Sequence, residues 1–353
     1  MSPHTEHFRQ AFFGSAPWIS AWRAAWGDTK CLAPLPATGI YRARSTIKKF
    51  LPITLAAPLG VSTSAIPSLR SEYLFFAQQP DNSAQAITEF LRDAQSQRWD
   101  QLWLPDIPKN SNELPLLKVA VQPLGWELVE QNNSTAYSVN TRSGDFAEYL
   151  QHLGKNSRLQ LFNRRKNFEK LGTISLINCW PNFNYFLDVI NEFHQQRWQK
   201  PLYTGRNKQF IEALLPALVD AGHSVDLSLL CLNEKPVAAV LDLHINGRVY
   251  NLQSGFSENI DSKISLGTLH FGYKIEAAFN NPQLHAYDFM AGIGRAADYK
   301  KQFATDSMQL VTVTLIRSPW LKLLSRCYKT VYKPMRAWLR KPEATVAPKA
   351  HGE

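Results

Sequence analysis

Residues 263–303 read KISLGTLHFGYKIEAAFNNPQLHAYDFMAGIGRAADYKKQF. A polar loop with one glycine, Gly267, leads into a helical pattern whose apolar positions include Leu269, Phe271, Ile275 and Phe279. A short strand follows at 284–290, opens into a loop holding Gly292 and Gly294, and closes on Asp298, Tyr299, Lys300 and Lys301. A helix start offers free N–H donors and a positive dipole end, and α/β proteins place ligands where such starts meet strand ends. This stretch is therefore expected to form an anion-binding corner with chemistry beside it.

Upstream, three successive strands at 226–232, 236–244 and 248–255 are joined by the tight turns NEK and NG. Before them come a strand at 174–179 and helices at 182–199 and 208–220; after the corner come a short helical piece at 298–303 and a strand at 308–315. The N-terminal part alternates strand 73–77, helix 84–97, strand 101–105, helix 112–124 and strand 126–139, an α/β rhythm. Between 30 and 59, short β-like pieces broken by proline and glycine have no order that the sequence reveals. Trp18, Trp22 and Trp26 recur every four residues on an amphipathic helix, a stripe expected in the core. A basic helix at 155–170 holds Lys155, Arg158, Arg164, Arg165, Lys166 and Lys170 against Glu169. Its cations either hold phosphate or nucleic acid, or form a solvated face beside Leu159, Leu161, Phe162 and Phe168. Asp242 and His244 share a strand face and form a further, weaker candidate pair.

A chain of 353 residues, 44% apolar and 19% charged, has room for two domains with their own cores and is neither disordered nor collagenous. Cys31, Cys179, Cys231 and Cys327 lie far apart without metal-like spacing, so neither a zinc site nor a disulfide framework is expected. No signal peptide or run of about 18 apolar residues is visible, which points to the cytoplasm. The net charge is +10, yet +7 of it lies in residues 317–353, where nine Lys or Arg face two Glu. A basic partner surface is thus expected in the tail, and no DNA partner is expected.

The order β-α-α-β-β-β-α-β-α-β resembles the GNAT acyltransferase superfamily. Arg158, Arg164 to Lys166, Gln196 to Trp198, PVAAVL from Pro236, VYNLQSGF from Val249, SLGTLHF from Ser265, and YDF followed by Tyr299 and Lys300 sharpen this. Together they resemble its FemAB-like and cellulose-biosynthesis-associated branch over most of residues 10–316. The resemblance implies an α/β fold of two tandem GNAT-like halves with mixed, mostly antiparallel sheets, at 1–140 and 141–316. It also implies transfer of an acetyl or longer acyl group from acyl-CoA to an amine or hydroxyl, with a small-molecule or glycan precursor as acceptor and no metal. Carried onto this chain, Tyr299, Asp288 and Lys300 would be catalytic, with Tyr299 protonating the leaving thiolate and Asp288 acting as base or orienting carboxylate. Gln253, Ser254, Ser265, Leu266, Gly267 and Thr268 would bind the donor, and Arg164, Arg165, Arg197, Trp198 and Gly292 the acceptor.

The loop 261–268 carries one glycine where the superfamily's CoA loop has several small residues. That favours two alternatives: a Fem-like transferase using aminoacyl-tRNA, and a non-catalytic adaptor in polysaccharide biosynthesis.

Residues 317–341 carry a separate signal. On a helical wheel, positions 320, 324, 327, 328, 331, 335 and 338 gather on one side, and Lys322, Arg326, Lys329, Lys333, Arg336 and Arg340 on the other. A basic amphipathic helix with tryptophans either lies on an anionic membrane surface or packs its apolar stripe on the body; the first would place the protein at the inner face of the membrane. Residues 342–353 are expected to be disordered.

Overall fold

Helix α1 (Ala16–Trp26) begins beside Pro17 and buries Trp18, Trp22 and Trp26, the core stripe its spacing predicts. The pieces between 30 and 59 resolve into a hairpin, β1 (Ile40–Ile47) with β2 (Leu51–Pro58). Helix α2 (Ser83–Ser96), β3 (Gln101–Pro108), α3 (Glu113–Val121) and β4 (Glu127–Asn140) complete the N-terminal part. Next come α4 (Phe146–His152), α5 (Lys155–Arg158), α6 (Arg165–Glu169), β5 (Ile174–Asn178), α7 (Phe183–Trp198) and α8 (Gly205–Asp220). The chain then forms β6 (Ser224–Leu232), β7 (Lys235–Ile245), β8 (Arg248–Phe256), α9 (Leu266–Phe279), β9 (Ala286–Gly292), β10 (Asp306–Ile316) and α10 (Pro319–Cys327). This computed structural model describes residues 13–36, 39–47, 49–77, 80–258, 260, 263–292 and 299–327. Gly294, Asp298, the predicted helix beyond 327 and the tail at 342–353 lie outside the described residues.

The ten strands form one sheet in the order β1-β2-β3-β10-β4-β9-β8-β7-β6-β5. All pairings are antiparallel except β2 with β3 and β8 with β9. The last strand returns to lie between β3 and β4, so the sheet runs without a break through the sequence boundary near residue 140. Helix α1 clasps the two parts: Trp18 and Trp26 meet Phe210 of α8 at 4.8 and 5.3 Å between ring centroids. One large cluster of α1, α7 and α8 side chains fills that face of the sheet, and α9 covers the other through Leu269, Phe271 and Ile275.

Two local expectations are corrected. The basic stretch at 155–170 is not one helix: a π turn at Leu159–Asn163 separates α5 from α6. That turn presses against α9, where a Cβ on Gly272 would stand 2.0 Å from the Leu161 carbonyl oxygen, so only glycine permits the approach. Residues 73–77 are not a strand either. Leu74 N–H bonds the carbonyl of Asp106 in β3 and Phe76 N–H the Glu113 carboxylate, so no run of ladder pairs forms, while Tyr73 sits at φ +55°.

Candidate functional site

Strands β8 and β9 run parallel and in register for three residues only, ending at Tyr250 opposite Asp288. Beyond that point they part. Strand β8 continues to Phe256 with β7 on its other edge, and β9 continues to Gly292 with β4 on its other edge. The inner edges of 251–256 and 289–292 therefore face a fork that no strand among the described residues fills. Open strand edges present unpaired N–H and C=O groups, which an extended ligand can take up.

Strand β9 bends at its fork end, where Met290 has φ +60° and the pairing with β4 slips between Tyr137 and Ser138. Such a bulge re-aims backbone groups out of the ladder. The Phe289 and Ala291 carbonyls accept from Lys300 Nζ at 2.6 and 2.9 Å, and Ala291 N–H donates to Glu72 Oε2 at 2.7 Å. Lys300 and Glu72 thus stand on the edge that β8 has left. Burial lowers the Lys300 pKa against the pull of Glu72 and Asp288, and it pushes Glu72 up to about 7 although the Arg70 charge opposes it. The second Glu72 oxygen, Oε1, is 3.6 Å from Arg70 Nε, beyond hydrogen-bond distance.

The end of α7 closes the fork beside β8. His194 Nε2 is hydrogen-bonded to the Ser254 carbonyl (3.2 Å), and burial lowers the histidine's pKa. Gln253 Oε1 accepts from Ser254 N–H at 3.4 Å. The Arg197 guanidinium lies 4.7 Å from the Phe256 ring centroid and 5.0 Å from that of Trp198, and Arg197 pairs with Glu258 at 3.3 Å. Trp198 is 64% exposed. The start of α9 meets the same place: a Cβ on Gly267 would lie 2.7 Å from the Phe256 ring. Ser265 Oγ bonds Thr268 Oγ1 (2.9 Å) and makes no cap to the helix backbone, so the first N–H donors of α9 lack a side-chain acceptor from the N-cap residue. Tyr299 stacks on Phe271 of α9 at 6.3 Å and 11°. Burial pushes its hydroxyl up to about 12, and the Arg197 charge pulls the other way, so it is protonated at neutral pH.

The structure thus gathers Gln253, Ser254, Gly267, Thr268, Ser265, Arg197, Trp198, Gly292, Tyr299 and Lys300 around one fork. Others of the sequence candidates lie elsewhere. The Leu266 side chain is core, with only its backbone at the helix start. Arg165 pairs with Glu276 and lies 3.9 Å from the Tyr273 ring centroid, about 9 to 13 Å along α9 from Gly267 at a helical rise of about 1.5 Å per residue. Arg164, beside it, has a buried Nε without a partner among the described residues. Asp288 is fully buried and accepts from Tyr73 Oη (2.8 Å), Arg248 Nε (2.9 Å) and Met290 N–H (2.7 Å), which makes it a structural anchor rather than a base. Asp242 is likewise occupied by Asn251 and Tyr287, while His244 Nε2 has no partner among the described residues. Sequence reading missed Glu72 and His194. His194 lies on the expected helix 182–199 but outside the Gln196 to Trp198 motif, and a lone acid in SEYLFFA gives no signal of its own.

Residues 155–301 match the family model described as "Acetyltransferase (GNAT) domain". Residues 155–301 are thus similar to a GNAT acetyltransferase domain. The GNAT domain accounts for less than half of the chain, and the solved structures extend the likeness to nearly all of it. One, titled as the crystal structure of FemX, is 11% identical with a TM-score of 0.58 and covers 92% of this chain and 98% of its own. A conserved protein of unknown function from Bacteroides thetaiotaomicron VPI-5482 is 13% identical with a TM-score of 0.51, over 85% of this chain and 89% of its own. At such identities the shared property is the fold, here a GNAT-like mixed sheet with helices on both faces. No curated protein sequence matches the chain. Among the described residues no helix is long and apolar enough to cross a membrane, and no three His, Cys, Asp or Glu stand together as metal ligands.

Proposed function

We propose that this protein transfers an acyl group from a thioester, acyl-CoA, to the amine or hydroxyl of a cell-envelope or polysaccharide precursor. The parting of β8 and β9 carries this reading. An extended thioester arm laid along residues 251–256 would exchange hydrogen bonds with the open β8 edge, as an added strand does. The uncapped start of α9 and the Arg197 guanidinium lie where the donor's phosphates would reach.

Glu72 accepts the proton of the attacking amine or hydroxyl, whose N or O bonds the carbonyl carbon while the C–S bond breaks. The departing thiolate takes its proton from Tyr299. Lys300 donates to the β9 carbonyls beside Glu72.

An aminoacyl ester donor, as in Fem-like transferases, is the second reading. What favours it is Gly267: the Phe256 ring already occupies the space over its Cα, so the single glycine of the loop offers no close approach to a pyrophosphate. Calorimetry with acetyl-CoA and longer acyl-CoAs separates the two. Binding below millimolar is expected, and no heat at millimolar concentration would remove acyl-CoA as donor.

A base that must be ionised sets the pH dependence. With the Glu72 pKa at about 7, kcat/KM should rise as pH increases through that value, and Tyr299, protonated to about 12, should add no fall below pH 10. The Glu72→Gln variant should lose the rising limb; a limb that survives in it belongs to another group, His194 first.

A further inference from the structure

We infer that the end of the molecule formed by the β1–β2 turn and α10 docks on an anionic lipid surface. Strand β2 pairs with β3 only from Leu55 opposite Gln101, so the hairpin tip at Leu51 projects about 13 Å past the start of β3 at about 3.3 Å per residue. Phe50 sits at that tip, 69% exposed, next to Lys49. Leu321 of α10 packs with Ile53, Leu55 and Ile316, and Ile47 of the hairpin joins the same cluster. Tip and helix therefore share one end of the sheet.

Helix α10 meets the body by one side alone. Leu321 is buried, Lys322 Nζ donates to the Gly125 carbonyl (2.7 Å), and Ser325 Oγ donates to Glu127 (2.8 Å). Its other side shows Trp320, Leu323 and Leu324, spaced i, i+3, i+4 and exposed by 40, 64 and 45%. Leu321 seats the helix on the body, while Trp320 and Leu324 of the stripe point outward. Four large apolar side chains at one end exceed the scattered singles normal for a protein surface.

The charge around them selects the partner. Lys49, Arg317, Lys322 and Arg326 frame the patch, Arg98 and Arg317 line a cavity of about 410 Å³ beside it with Asp100 as its acid, and the sequence adds Lys329, Lys333, Arg336, Arg340 and Lys341 directly after α10. Cations framing aromatic and aliphatic side chains suit phosphate headgroups over acyl chains, whereas a second copy of the same basic end would repel. An acceptor held in such a membrane would then meet the enzyme at its surface. The docking does not depend on which acyl donor the fork takes.

Flotation of the full chain with vesicles of phosphatidylglycerol and phosphatidylcholine, beside vesicles of phosphatidylcholine alone, tests this. The protein should float with the anionic vesicles and release as salt rises. Phe50→Ser, and separately Leu323→Ser with Leu324→Ser, should each weaken partition by about tenfold, the share of a withdrawn apolar side chain. These side chains are exposed, so melting temperatures should stay unchanged. Variants that float as well as wild type overturn the inference, as does a wild-type chain that floats with neither vesicle. A dimer in sedimentation velocity that the variants dissociate, without vesicle binding, would assign the face to a second copy.

Discussion

Replacing Asp288 with alanine should destabilise the protein by about 3–5 kcal/mol, because it leaves a guanidinium buried without its counter-ion. Arg248 is 3% exposed and meets Asp288 at 2.9 Å. The same carboxylate accepts from Tyr73 Oη and from the Met290 N–H, so its loss also removes the partner that holds the β9 bulge. The effect reaches across the molecule, since Tyr73 belongs to the N-terminal part and Arg248 to β8. Chemical denaturation should show a midpoint shift at nearly unchanged slope. Asp288→Asn, which keeps the shape and an acceptor, should lose less. A loss within about 1 kcal/mol for Asp288→Ala would mean that water or a neighbour replaces the carboxylate, and the anchor role would be withdrawn.

Tyr299→Phe should lower turnover by roughly 10² to 10⁴ if the hydroxyl protonates the leaving thiolate. Stability should hardly change, because the variant keeps the ring stacked on Phe271. Donor binding should persist, which distinguishes a missing proton from a collapsed fork. The effect should shrink with a thioester whose thiol is a better leaving group, since such a thiolate departs without help. Turnover equal to wild type with every donor would remove Tyr299 from the mechanism. Comparing Tyr299→Phe with Glu72→Gln across pH separates the two roles: the first should lower the whole profile, the second should flatten the limb near 7.

The readable parts of this protein are those in which each residue's neighbours along the chain settle its state. The runs of β6, β7 and β8, the turns at Asn233 and Asn246, and the helical period of α9 all carry their own periodicity and positive-φ turn residues. The tryptophan stripe at Trp18, Trp22 and Trp26 told which face of α1 is core, though not that Phe210 would be the partner. Arg197, Trp198, Ser254 and Tyr299 were legible through family motifs and come together in the fork. Arg165 and Asp288 carried equally good motifs, but tertiary partners claim them: Glu276 and the Tyr273 ring for Arg165, Arg248 and Tyr73 for Asp288.

The failures share a cause. Residues 73–77 have the composition of a strand, yet only Leu74 bonds a β3 carbonyl, the Glu113 carboxylate takes the Phe76 N–H, and Tyr73 at φ +55° breaks the extended run. Glu72 rides on that irregular segment and reaches the Ala291 N–H, 219 positions away along the chain. No local pattern can encode such a pairing.

The stretch at 263–303 shows the division most plainly. By itself the sequence determined that a helix would begin at the glycine-bearing loop, that a strand would follow, and that Tyr299 and Lys300 would come next. Periodicity and turn chemistry act over a few residues, and they suffice for that much. Only the tertiary structure decided that Gly267 would seat the Phe256 ring, that β8 and β9 would part after three paired residues, and that Glu72 and Lys300 would occupy the edge so exposed. Those outcomes depend on which distant backbone donors and side chains arrive at the same edge, and the closing of the ten-stranded sheet settles that for all of them at once.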